Sequence, residues 1–158
     1  MISKEVEKTL NAALVAARNR RHEYLCVEHL LFAILDDPHG REIVLHCGGD
    51  VVRLKKEVET FFDQQLEKAP TGKELVIQQT VAFERVMERA ILHVKSSGKA
   101  EVDNGDILAA IFEEKDSYAA YFLAAEGITR LDVLKYVSHG FSPTRPEYVP
   151  DATGTGEE

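Results

Sequence analysis

At 158 residues, with 44% hydrophobic and 29% charged side chains, the chain has the make-up of one globular domain, long enough to bury roughly two thirds of its unfolded surface without a metal or disulfide staple. Its 27 acidic residues against 19 basic ones give a formal net charge of -8, which opposes binding to a nucleic-acid backbone. Two cysteines without CxxC spacing, and no apolar run near the roughly 20 residues of a bilayer span, argue against a zinc ribbon and a membrane helix, so a reduced, cytoplasmic protein is expected.

Apolar periodicity predicts the elements. Val6, Leu10, Leu14 and Ala17 recur at helical spacing over residues 3 to about 20, with Ser3 as the starting cap and Glu5 and Glu7 in the first turn. Arg18, Arg20 and Arg21 then fall at the helix end, where cations complement the dipole and are expected in solvent. A second helix over 27–35 is apolar on nearly every side after Glu28 and His29, which places it in the middle of a bundle. Asp36, Asp37 and Pro38 stop it. Pro38 opens a third helix reaching Cys47, and Gly48 with Gly49 ends that one. Asp50 caps a fourth, with Val51, Leu54, Val58, Phe61 and Phe62 on one stripe. Periodicity lapses over 66–79, where Ala69, Pro70, Thr71, Gly72 and Lys73 read as a linker.

Thr80 caps a fifth helix, whose buried stripe is Val86, Met87, Ala90, Ile91 and Val94 and whose end is Gly98. Asp103 and Asp106 cap a sixth over 107–113. Tyr118, Tyr121, Phe122 and Leu123 mark a seventh over 117–125, closed by Gly127, and Leu131, Val133, Leu134 and Val137 an eighth over 129–139. Residues 141–158, with Pro143, Pro146, Pro150, Gly154 and Gly156, have no periodicity and read as a flexible linker or tail.

The second half repeats the first at an offset of 77: Leu30 meets Ile107, Leu31 meets Leu108, Ala33 meets Ala110, Ile34 meets Ile111, and Leu54 meets Leu131. The fold class expected is therefore all-α, an eight-helix pseudo-two-fold bundle of two tandem four-helix repeats. The repeats span about 1–66 and 80–140 within one domain of residues 1–140.

Chemistry is sparse. His22, Glu23, Glu28 and His29 carry the residue types of a zinc hydrolase, but His22 and His29 are seven apart across a helix break, not four apart on one face as in HExxH. A small metal-dependent hydrolase using His22, Glu23 and His29 is thus the weakest of the functional readings, and no metal ligand, cofactor site or catalytic residue is assigned. No GxSxG elbow and no phosphate loop occurs. Arg85 and Arg89 lie one helical turn apart, a like-charge pair that either Glu84 and Glu88 offset or a partner's carboxylates meet.

Three runs, HEYLCVEHLL from His22, TVAFERVMERAILHVKSSG from Thr80 and RLDVLKYVSHG from Arg130, resemble the N-terminal domains of ClpA-type AAA+ unfoldases, the ATP-binding subunits of the ATP-dependent Clp protease. The resemblance covers residues 1 to about 140, including the duplication. It implies a non-enzymatic Clp-repeat module that receives the adaptor ClpS and protein substrates on behalf of an unfoldase and, through it, the ClpP peptidase. The adaptor-facing positions it implies are Glu23, Glu28, Thr80, Arg85 and Arg89. A free-standing accessory protein, or a domain that takes substrate segments directly in a groove between the repeats, is the alternative. Cys26 departs from the Thr common in the family, and since a thiol caps poorly, a looser start to the second helix is expected.

Overall fold

Each helix starts where a side chain can satisfy a backbone N–H that has no intrahelical acceptor. The computed structural model describes residues 1–139; the expected tail over 141–158 lies outside the described residues. Ser3 accepts from Val6 N to open α1 (Lys4–Asn19), and Asp37 from Gly40 N to open α3 (Pro38–His46), with Pro38 in the first turn. Asp50 caps α4 (Val51–Gln65) through Arg53 N, and Thr80 caps α5 (Val81–Ser97) through Phe83 N. Ser117 caps α7 (Tyr118–Ala125), and Thr129 accepts from Asp132 N at the start of α8 (Arg130–His139). α5 ends at Gly98, whose φ of 79° is the left-handed conformation that glycine adopts without penalty.

Two starts differ from expectation. The sixth helix, α6 (Asn104–Ile111), begins three residues early and ends two residues early, because Asp103 and Asp106 each accept from the other's backbone N–H and close a reciprocal cap. At α2 (Val27–Asp36), Cys26 is the N-cap residue without a well-formed thiol cap, yet the start is not loose: Cys26 N–H donates to His29 Nδ1 at 3.0 Å and His29 N–H to Cys26 O at 3.0 Å, which ties the first turn to the residue before it.

The repeats are related by an approximate two-fold axis. In β1 (Tyr24–Leu25) and β2 (Gln78–Gln79), Leu25 pairs in parallel with Gln79. Adding 77 to Leu25 gives Val102, and subtracting it from Gln79 gives Ile2; Ile2 and Val102 form the other parallel bridge. The hydrogen bonds match as well, Thr80 N to Leu25 O and Ser3 N to Val102 O, both 3.0 Å. The residues leading into the first helix of each repeat are thus stitched to the segment before the second helix of the other. Helix contacts obey the same exchange: α1 packs on α2 as α5 does on α6, and α3 on α8 as α4 does on α7.

α2 and α6 lie at the centre, with Leu30, Leu31, Ile34, Leu35, Ile107, Leu108 and Ile111 fully buried. Two arginines expected in solvent are structural. Arg20 sets its guanidinium 5.1 Å from the ring centroids of both Phe32 and Phe62. Arg21, at φ 56°, donates to the carbonyls of Ala69, Pro70 and Lys73 and so anchors the linker between the repeats.

Candidate functional site

The β1–β2 ladder brings Glu23 beside the start of α5. Gln78 N donates to Glu23 O at 3.0 Å and Thr80 N to Leu25 O at 3.0 Å, so an exposed edge carries Glu23, Tyr24, Gln78, Gln79 and Val81 around the half-buried Thr80. Thr80 also caps α5, which ties its hydroxyl to Phe83 N at 3.1 Å.

Arg85 and Arg89 project from one side of α5, but neither pairs with Glu84 or Glu88, which are exposed. Both converge on Glu114, only 6% exposed. Arg85 makes a two-pronged contact, Nε to Oε2 at 2.8 Å and Nη2 to Oε1 at 2.9 Å, and Arg89 donates to Oε2. The Arg85 hydrogen bond, joined by Arg89, outweighs burial and holds the Glu114 carboxyl below its ordinary pKa. Arg130 reaches Glu113 at 3.0 Å beside them. Three guanidinium groups therefore face two carboxylates, and the patch keeps a positive surplus on an acidic molecule.

Glu28 does not join this face. It is 5% exposed, and its Oε2 accepts from Ala119 N at 2.9 Å, in the first turn of α7. Glu28 therefore acts as an inter-repeat cap, a role invisible to local sequence because its partner is 91 positions away.

The histidines proposed as metal ligands are also turned inward. His22 and His29 are 1% and 0% exposed, with His22 Nδ1 and His29 Nε2 2.9 Å apart and the His29 ring stacked on Phe62. Burial, aided by Arg20, lowers the pKa of His22, and burial with the neighbouring His22 lowers that of His29 to about 3, so both are neutral near pH 7. Since His29 Nδ1 accepts from Cys26 N–H, its proton is on Nε2 and donates to His22 Nδ1. Glu23 is exposed rather than turned inward with these rings. The constellation His22, Glu23 and His29 is not assembled, and a hydrolase built on it has no geometric support.

Two of the surface grooves have apolar linings that bear on docking. One, of about 680 Å³, runs between α1 and α5 and is lined by Leu10, Leu14, Leu25, Phe83, Met87 and Ile91 with polar edges. The other, of about 400 Å³, lies between α4 and α7 and is floored by Phe61, Tyr118, Tyr121 and Phe122. Sequence periodicity places most of these residues on helices but does not show that the two helices of a pair stand apart.

Residues 1–126 match the family model described as the Clp repeat (R) N-terminal domain. The chain belongs to this family. The Clp N-domain is 42% identical over 141 residues to the ClpA homolog protein of Fuscovulum blasticum, covering 87% of this chain and 18% of that relative. The chaperone protein ClpB of Mesorhizobium japonicum is 28% identical over 129 residues, covering 80% of this chain and 15% of that protein. The chain thus spans less than a fifth of the length of the curated relatives it matches. A ClpV N-domain solved in complex with a VipB peptide shares the fold, with a TM-score of 0.71 at 20% identity over 87% of this chain and 85% of that one. Among the described residues, no helix is long and apolar enough to cross a membrane.

Proposed function

We propose that this Clp N-domain is the adaptor- and substrate-docking module of a ClpA-type unfoldase, binding a ClpS adaptor in the cytoplasm and delivering substrates to a Clp protease. The observation that carries the reading is the higher identity to a ClpA homolog than to a ClpB, 42% against 28%. In this reading residues 1–140 form the docking unit, 141–158 link it to ATPase modules elsewhere in a parent chain, and ClpP acts downstream. This segment contributes no catalysis of its own.

The adaptor-facing set is Glu23, Thr80, Arg85 and Arg89, with Glu28 reassigned to holding α7. Glu23 and Thr80 supply an edge with hydrogen-bonding groups, and the arginine patch supplies a positive surplus for an acidic partner surface, which favours orientation and association rate. Calorimetric titration of the domain with its cognate ClpS tests this. The paired reversal Arg85→Glu and Arg89→Glu, and separately Glu23→Lys, should each weaken binding by about tenfold or more. Absence of any binding by the unmodified domain overturns the ClpS assignment, and unchanged affinity in both variants overturns the face.

The α1–α5 groove supports a second reading, direct capture of an apolar substrate segment. The ClpV N-domain complexed with a VipB peptide gives precedent within the fold. Binding of an unfolded model protein without adaptor, lost on Met87→Glu, is the result that favours it.

A further inference from the structure

Away from the docking edge, the first turn of α1, the corner between α2 and α3, and the start of α6 meet at Glu5, Asp37 and His39. Each of these side chains offers one ligand atom, and the three atoms lie within 4.8 Å of one another. All three residues are partly buried, so the group is neither a loose surface cluster nor sealed from solvent. Among the described residues no other set of three His, Cys, Asp or Glu side chains comes together this closely.

The set is held in place by contacts that leave one oxygen of each carboxylate over, while His39 Nδ1 is paired with Glu5 and must give up its proton and that hydrogen bond to an incoming ion. Glu5 Oε2 accepts from Asn104 N at 2.9 Å and lies 2.8 Å from His39 Nδ1. Asp37 Oδ2 accepts from Gly40 N at 2.9 Å. Both carboxylates are thereby fixed by main-chain donors, and the second oxygen of each has no hydrogen-bond partner among the described residues. Two carboxylates stand against at most one imidazolium, which leaves a negative surplus at the point where the three segments converge. One imidazole nitrogen with two carboxylate oxygens is a donor set of zinc-class ions, and it differs from the all-oxygen cage that Ca2+ or Mg2+ prefers. Tetrahedral coordination at about 2.0–2.1 Å sets neighbouring ligand atoms about 3.3 Å apart. The three atoms, within 4.8 Å of one another, would close to that spacing around a bound ion.

We propose that Glu5, Asp37 and His39 form a binding site for a zinc-class divalent transition-metal ion, one oxygen from each carboxylate and His39 Nδ1 serving as ligands and water completing the shell. The ion fastens the first turn of α1 to the α2–α3 corner, next to the junction with the second repeat at Asn104. The site is separate from His22 and His29, which are fully enclosed, the His29 ring stacked on Phe62.

The untagged polypeptide of residues 1–158, stripped with chelator and titrated with Zn2+ alone at pH 7.5, should bind one equivalent. Its Tm should rise by about 6–10 °C when free Zn2+ stands about a hundredfold above its Kd. Mg2+ at the same concentration should leave Tm unchanged. His39→Ala and, separately, Glu5→Gln, which keeps an acceptor for Asn104 N–H, should each weaken Zn2+ binding by more than about tenfold while retaining the far-ultraviolet helical signal. No stoichiometric Zn2+ uptake, an equal response to Mg2+, or uptake unaltered in both variants overturns the site.

Discussion

Glu28 stands at the first turn of α2, where a carboxylate ordinarily faces solvent and favours the helix dipole. Here it reaches inward to the N-terminus of α7 and accepts from Ala119 N. Removing it strands a buried N–H, so Glu28→Ala is expected to lower stability by about 2–3 kcal/mol in urea unfolding, whereas Glu28→Gln, which keeps an acceptor, should cost less than about 1 kcal/mol. Equal losses in the two variants would show that the acceptor is not what matters. His22 and His29 are expected to contribute acid sensitivity just below neutral pH. Both have folded-state pKa values below the ordinary 6.5, so between that value and about 3, the figure for His29, the unfolded chain binds more protons and stability falls as pH falls. From pH 7 to pH 5 each histidine that stays neutral should cost about 2 kcal/mol. Replacing His29→Gln, whose amide can still bridge Cys26 N–H and His22, should flatten the slope of unfolding free energy against pH in that window. A slope unaltered by the substitution assigns the acid sensitivity elsewhere.

At the scale of elements, caps and stripes were legible because both are local. Ser3, Asp50 and Thr80 each precede an apolar stripe, and each caps the helix it was expected to open. The errors share a cause, which is sequence distance. Glu114 pairs with Arg85 and Arg89 from 29 and 25 positions away, whereas local sequence offers only Glu84 and Glu88 or a partner's carboxylates. β1 and β2 are two residues each, too short for alternation to register, and they lie on opposite sides of the linker. Arg20 and Arg21 read as solvated because charge at a helix end usually is. The phenylalanines that receive Arg20 and the carbonyls that receive Arg21 come from later elements. Of the candidate site, the family resemblance pointed to Glu23 and Thr80, while local sequence carried neither the inward turn of Glu28 nor the gathering of Glu5 with Asp37 and His39 from two segments.

On the scale of the whole molecule, the duplication does not mean two independent units. Nine of the ten residues of α2 are buried, which α1, α3 and α4 of its own repeat cannot accomplish, since α2 also packs against α5, α6 and α7. The parallel pairings cross between repeats on both sides of the axis, Leu25 with Gln79 and Ile2 with Val102, so separating the halves exposes the apolar face of a central helix and breaks both ladders together. Neither half buries a closed core alone, and folding should be a single cooperative event. Peptides of residues 1–70 and 71–158 are each expected to show little helix by circular dichroism and no cooperative melt. Mixed at equal concentration, they should regain helical signal with a concentration-dependent midpoint, because the association restores α2 against α6 and both crossed ladders. A cooperative melt in the 1–70 peptide alone would mean that one repeat suffices. The two-fold arrangement would then be a docking of finished units rather than a shared core.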